Sequence, residues 1–191
     1  MTDSEIIKLI IQGDRNQFRL LVDRYQKLVF RTCMGFLHKK DDAEDLTQEI
    51  FIQVYQSLSS FKGESSFSTW IYRVTVNASL NKVRKNSKNF LIQRLDVFLG
   101  SEKNKEFTIP DTENPENILI TNEHKEWVQK ALNSLPENQR TAIVLSKYDE
   151  LSQKEIAEIM STSEGAVEAL MQRAKANLRE KLSTLKKKNK K

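Results

Sequence analysis

Trp70, Arg73, Asn77, Asn81, Arg84 and Lys85 follow one another at offsets of 3, 4, 4, 3 and 1, which sets a ring, amides and cations on one helix face. Such a face suits a nucleic-acid strand. The cations neutralise phosphate, the amides reach base edges, and an aromatic ring offers a stacking platform worth ~1–3 kcal/mol per base. An ordinary core tryptophan is the plain alternative for Trp70. A mixed solvated face explains the cations less well, because six Lys or Arg and no acid lie between Glu64 and Asp96. A second set, Asp45, Gln48, Glu49, Ile52 and Gln56, makes a polar face with one isoleucine at its centre. It reads either as a docking surface with an apolar anchor and polar rim, or as a solvated face carrying one stray apolar residue. A third set, Glu168, Gln172, Arg173 and Arg179, lies near the C-terminus on the side of a helix away from Val167, Met171, Ala174, Leu178 and Leu182.

Other chemistry is poorly supported. Cys33 is the only cysteine, and with His38 and His124 as the only histidines no zinc-type spacing exists. Neither a phosphate-cradling loop nor a nucleophile paired with a base is present, so no catalytic residue, metal or cofactor is expected.

Helices must position these groups. The chain has 5 Gly and 3 Pro and little β-type alternation, which predicts an all-α protein. Two helices are expected over residues 3–12 and 14–38, broken at Gly13, with Phe18, Leu21, Val22, Tyr25, Val29 and Phe30 as core. Asp41 and Glu44 have capping-box spacing, so a third helix is expected to start there, burying Leu46, Ile50, Val54 and Leu58. A fourth begins near the N-cap Ser66 and buries Tyr72, Val76, Leu80 and Val83. Periodicity fades from about Asn86 to Asn114, where Gly100 and Pro110 interrupt, and a flexible linker is expected. Asn114 and Pro115 form an N-cap and N1 pair for a helix through Asn133. Pro136 opens a helix to about Tyr148. Ser152 and Glu155 form a second capping box, a break follows at Ser161–Ser163, and a longer helix runs from Glu164 to about Leu182. Short helix, tight turn and longer helix make the helix-turn-helix pattern, which sets its second helix in a DNA major groove. Any packed helical hairpin is the alternative.

Charge is segregated along the chain. The net charge is +5, yet residues 96–126 hold eight acids against three lysines, whereas 172–191 hold nine Lys or Arg against one acid. Apolar runs are short, and neither a signal peptide nor a membrane span is expected. A cytoplasmic protein with no membrane insertion is the expectation.

Together these stretches resemble the extracytoplasmic-function (ECF) sigma factors of bacterial RNA polymerase, of the sigma-70 family, over nearly the whole chain. DAEDLTQEIFIQVYQSL resembles the core-polymerase-binding segment of region 2, and FKGESSFSTWIYRVTVNASLNKVRK the adjoining segment that melts and reads the −10 element. LPENQRTAIVLSKYDELSQKEIAEIMSTSEGAVEALMQRAKANLREKL resembles region 4, which reads the −35 element. The resemblance implies region 2 over residues 1–90, a linker over 91–114, region 4 over 115–185 and a basic tail over 186–191. It turns the polar face of Asp45, Gln48, Glu49, Ile52 and Gln56 towards the coiled coil of the largest polymerase subunit. Phe61, Lys62, Gly63, Glu64, Ser65 and Phe67 would pocket a flipped base, with Asn77 and Asn81 beside that strand. Glu137 to Tyr148 would meet the polymerase flap. Glu164, Ala166, Glu168, Ala169, Gln172, Arg173, Lys175 and Arg179 would face −35 DNA. Core RNA polymerase, promoter DNA and an anti-sigma factor, membrane-bound or not, are the implied partners.

In one place the chain departs from the family. The usual pattern after the turn, Gly-Thr-Val-basic-Ser-Arg, is replaced by Gly165, Ala166, Val167, Glu168, Ala169 and Leu170, so the −35 preference does not follow from the resemblance. The linker length is compatible with two readers. About 25 residues reach at most ~80–90 Å, and promoter elements one to two helical turns apart are ~35–70 Å apart. A sigma-like adaptor would carry a signalling domain for which no residues remain, and a simple helix-turn-helix repressor leaves the first 95 residues without a task.

Overall fold

The computed structural model describes the backbone of residues 1–98 and 126–188, and every regular element among them is helical. The first domain holds α1 (Asp3–Ile11), α2 (Phe18–Leu37), α3 (Lys40–Ser57) and α4 (Phe67–Phe98). The second holds α5 (residues 126–133), α6 (Glu137–Lys147), α7 (Gln153–Met160) and α8 (Glu164–Lys188).

Local chemistry sets most of the boundaries. Thr2 and Glu5 cap α1 reciprocally, and the chain breaks at Gly13, whose φ of +111° suits glycine alone. Helix α2 stops where His38 turns left-handed at φ +61°. Helix α3 then begins at Lys40, ahead of the expected Asp41–Glu44 cap. Lys39 is its N-cap without a side-chain bond, and Asp41 and Asp42 lie instead in the first turn, where carboxylates oppose the positive helix end. At α4 the Ser66 hydroxyl accepts from the Thr69 amide at 3.0 Å, as an N-cap should. That helix runs to Phe98, past residue 90, because no Gly or Pro interrupts it before Gly100. The rest of the expected acidic linker, the Asn114–Pro115 helix start and residues 189–191 lie outside the described residues.

In the first domain α2, α3 and α4 pack around Leu21, Val29, Cys33, Ile50, Val54 and Ile71, with Ile6 of α1 closing one side. Burying each such side chain is worth ~1.5–3 kcal/mol. Burial also pushes the Cys33 thiol up to about 11, which makes it unreactive. In the second domain α6 is nearly surrounded, and Ala142, Val144 and Leu145 meet Ile156, Val167 and Ala174. Arg140 is buried there. Its guanidinium donates to the carbonyls of Leu132, Asn133 and Leu135 at 3.1, 2.6 and 3.2 Å, completing the C-terminal end of α5.

The two domains also pack on each other. Phe36 of α2 and Tyr72 and Val76 of α4 belong to the same apolar cluster as Leu132, Leu135 and Val144. Gly35 permits the approach, since a Cβ there would lie 2.6 Å from Val144 Cγ1 and 3.1 Å from Tyr148 Cγ. Beside it, Asp149 enters the first domain with its side chain fully buried. Arg31 Nε donates to one carboxylate oxygen at 2.8 Å and the Thr32 hydroxyl to the other at 2.8 Å. Burial still raises the Asp149 pKa above the ordinary carboxylate value, against the pull of these donors.

His38 lies at the same seam, its Nε2 buried without a hydrogen-bond partner. Burial, and then the charge of Arg140, hold its imidazole below the ordinary 6.5. Its folded-state pKa is thus below its unfolded value. The unfolded chain takes up the proton first, and stability is lost as pH falls below 6.5 towards the folded pKa. His38→Asn retains a side chain that tolerates the left-handed backbone and does not titrate. Urea midpoints measured at about pH 7.5 and 5.5 should therefore differ clearly less in His38→Asn than in the wild type. Equal differences would mean that His38 is not the sensitive group.

Candidate nucleic-acid interface

The polar face of α3 is open. Asp45, Gln48, Glu49, Ile52 and Gln56 are all exposed, Ile52 to 59%, whereas Leu46, Ile50 and Val54 on the opposite side are buried. Glu49 is 3.8 Å from Lys82. A groove of about 400 Å³ runs alongside, between α2 and α3, lined by Gln26, Lys27, Phe30, Glu44, Thr47 and Gln48.

The loop before α4 rests on stacked rings. Phe67 is buried and lies 5.2 Å from Tyr25, 5.6 Å from Phe61 and 5.5 Å from Trp70, centroid to centroid. Phe61 and Trp70 are half-buried and 5.5 Å apart. Of the residues expected to hold a base, Lys62 and Gly63 are exposed and Ser65 half-exposed, while Gly63 uses a φ of +74°. Phe67 is the exception: at 3% exposure its ring supports Phe61 and Trp70 from below and is itself out of a strand's reach.

Further along α4, two cations of the expected strand-binding face are already engaged. Arg73 donates to the main-chain carbonyls of Ile159 at 3.2 Å and Glu158 at 2.6 Å, at the C-terminal end of α7. Arg84 makes a bidentate pair with Glu137, both distances 2.5 Å, and also donates to Asn81 Oδ1 at 3.1 Å. Hydrogen bonding by Arg84 holds the Glu137 carboxyl below its usual range. Asn77 borders a cleft of about 290 Å³ between α4 and the second domain, which Arg73, Asn138, Thr141 and Ser161 also line. Lys85 is exposed.

In the second domain Ser152 and Glu155 form the expected capping box, and Ser161 makes the turn in a left-handed conformation. Ser163 then caps α8 by accepting from the Ala166 amide at 3.2 Å. Val167, Met171 and Ala174 face inward, with Leu178 and Leu182 half-buried. The outer side presents Glu164, Glu168, Gln172, Arg173, Lys175 and Arg179, with Ala166 and Ala169 half-buried between them. Gln172 Nε2 donates to Glu168 at 3.4 Å, so these neighbours act as a pair.

The sigma-70 region 2 family matches residues 21–89, and the sigma-70 region 4 family matches residues 125–178. Over 187 residues, 97% of each chain, the sequence is 33% identical to the ECF RNA polymerase sigma-E factor of Haemophilus influenzae. This chain is an ECF sigma factor of the sigma-70 family. The Escherichia coli K12 sigma-E factor is likewise 33% identical, over 97% of this sigma factor and 96% of its own length. In fold alone, the sigma factor is similar to CnrH in complex with the cytosolic domain of CnrY. That likeness has a TM-score of 0.61 at 21% identity, covering 95% of this chain and 97% of that one. It is similar in the same way to RpoE in complex with the anti-sigma factor NepR from Bartonella quintana, with a TM-score of 0.56 at 23% identity, over 87% and 96% of the two chains.

A member of this family binds core RNA polymerase and promoter DNA and is not itself an enzyme. No group among the sigma factor's described residues could hold a metal ion, and no described helix is long and apolar enough to cross a membrane. Sequence reasoning missed Arg31, Thr32, Gly35, Arg140 and Asp149. A glycine within the apolar period of α2 was the one trace of them, since an interior helical glycine costs ~1 kcal/mol against alanine and needs a packing reason.

The ring cluster predicts a stability effect. Phe67→Ala should remove ~3–5 kcal/mol, the usual cost of emptying a buried phenylalanine site. Urea denaturation of the full chain measures it. A loss below about 1 kcal/mol would mean that the ring is less tightly packed than its burial indicates.

Proposed function

We propose that this sigma factor docks on core polymerase through the outer face of α3, opens and reads the −10 element with region 2, and reads the −35 element with α8. The observation that carries the reading is the division of each helix into a buried stripe and an exposed face, with the exposed groups those suited to each task. On α3 an exposed isoleucine stands among Asp45, Gln48, Glu49 and Gln56, the pattern of an apolar anchor within a polar rim. In region 2, Phe61 and Trp70 offer ring surface beside Lys62, Gly63 and Ser65, which suits an unstacked base, and Arg73, Asn77, Asn81, Arg84 and Lys85 continue along the strand path. On α8, Arg173 is exposed and suits guanine, whereas Lys175 and Arg179 suit phosphate.

Glu168 stands where the family often has a cation. It repels phosphate and only accepts hydrogen bonds, which favours the amino donor of cytosine, with Gln172 aligned beside it. An inhibitory protein is also part of the proposal. The Bartonella quintana RpoE forms a complex with an anti-sigma factor, and a partner of that class would take this sigma factor out of circulation.

Transcription by purified core polymerase on a promoter library, with and without the sigma factor, tests the whole reading. Promoter-specific transcripts that need the protein are expected, and their absence would reject it. Ile52→Asp should weaken core binding by ~2 kcal/mol, about thirtyfold in Kd, with helical content kept. Unchanged affinity in a titration with core enzyme would remove α3 as the docking face. On a randomised −35 library, Arg173→Ala should cost ~1–3 kcal/mol and relax one base pair. Glu168→Lys should strengthen binding broadly, blur selectivity and release Gln172. An unchanged set of selected sequences would make Glu168 a solvated bystander.

A further inference from the structure

We propose that the free sigma factor is self-blocked at region 2, because its own region 4 occupies the strand-binding cations of α4, held there by the Gly35 notch and the buried Asp149 clasp. This rests on the −10 reading of α4 given above. Arg73 and Arg84 are the cations concerned, and both are spoken for by region 4. The α7 carbonyls of Glu158 and Ile159 take Arg73, and the Glu137 carboxylate takes Arg84 in the two-pronged geometry that a phosphate would use. Region 4 therefore presents oxygen acceptors where a nucleic-acid backbone would present its own.

The closed arrangement is also incompatible with reading a promoter. Arg73 touches the end of α7, directly before the turn into α8. The −10 and −35 elements, by contrast, are ~35–70 Å apart along DNA. Both readers cannot engage one promoter until the seam opens. The blockade is one-sided, since the outer face of α8, with Arg173, Lys175 and Arg179, remains exposed. The free molecule is closed to −10 DNA and open to −35 DNA.

Gly35 gives a clean way to open the seam. A Cβ there meets Val144, a stiff and fully buried side chain, at 2.6 Å and the Tyr148 ring at 3.1 Å. Within α2 alone the same change improves helix propensity. Gly35→Ala should thus push region 4 off while leaving region 2 folded. Asp149→Asn is the second variant, weakening the clasp without changing shape.

The experiment uses the full chain, with dyes on cysteines introduced at the exposed positions Arg19 and Lys181, while the native Cys33 is buried and inert. Energy transfer between the dyes reports opening. Anisotropy with a labelled single-stranded −10 oligonucleotide and, separately, a −35 duplex reports binding. In Gly35→Ala, transfer should change and −10 oligonucleotide affinity should rise about tenfold or more, the factor by which the open fraction grows. Asp149→Asn should move both in the same direction, and −35 duplex affinity should stay at the wild-type value in each. Wild-type transfer in both variants, or opening with no gain in −10 affinity, would overturn the proposal. Failure of the underlying reading is visible separately. If holoenzyme binds the −10 oligonucleotide equally with and without Arg73→Ala, the role of α4 is wrong and the self-blockade falls with it.

Discussion

Helix α4 has a single circumference, and the structure divides it among three claims. One side, with Phe67, Ile71 and Thr75, closes the region 2 core. A second, with Tyr72 and Val76, lies in the apolar cluster shared with region 4. The third carries Arg73, Asn77, Asn81, Arg84 and Lys85. Because the last two sides adjoin, whatever covers Val76 also reaches Arg73. The arrangement of the whole molecule follows from that adjacency, since a helix turning 100° per residue cannot separate positions three apart by more than part of a turn.

The contact that fixes how region 4 sits is electrostatic and offers little net stability. Asp149 is stripped of water, and two hydrogen bonds only partly offset this, so its carboxyl is still shifted upward. Apolar packing of Phe36 and Tyr72 against Leu132, Leu135 and Val144 drives association without specifying register. Removing one partner of such a buried pair typically costs ~3–5 kcal/mol, so any docking that leaves Asp149 without Arg31 is strongly disfavoured. The ion pair thus selects one seating among the many that grease alone would permit. Tyr72 feels the same environment, and burial, with Asp149 next, pushes its phenol up to about 12.

Local features were legible in the sequence and long-range ones were not. The Ser152–Glu155 box, the Ser66 cap, the break at Gly13 and the inward set Val167, Met171 and Ala174 all depend on residues within a few positions of one another. Asp41 and Glu44 had capping spacing as well, but α2 ends so late that the chain re-enters helix at Lys40, and the acids fall inside the first turn. Phe67 could be assigned to a loop that touches DNA only while its neighbours in space were unknown. Tyr25, far away in sequence, places it in the core. Arg31 and Asp149 are separated by 118 residues, and no period or spacing connects them. The polar faces of α3 and α8 were readable because exposure on a helix follows from its buried stripe. The engagement of Arg73 and Arg84 was not, because it depends on a second domain.

Nothing in the Gly35 notch requires that its occupant belong to the same molecule. The described helices α4 and α5 are joined by residues 99–125, and region 4 competes for the seam only through the local concentration which that tether imposes. For tethered modules in general such concentrations are near ~1 mM. As the protein is concentrated towards that range, two opened chains can exchange region 4 with every contact of the seam preserved, giving a two-fold domain-swapped pair. The glycine that lets one molecule fold shut also makes it capable of closing on its twin.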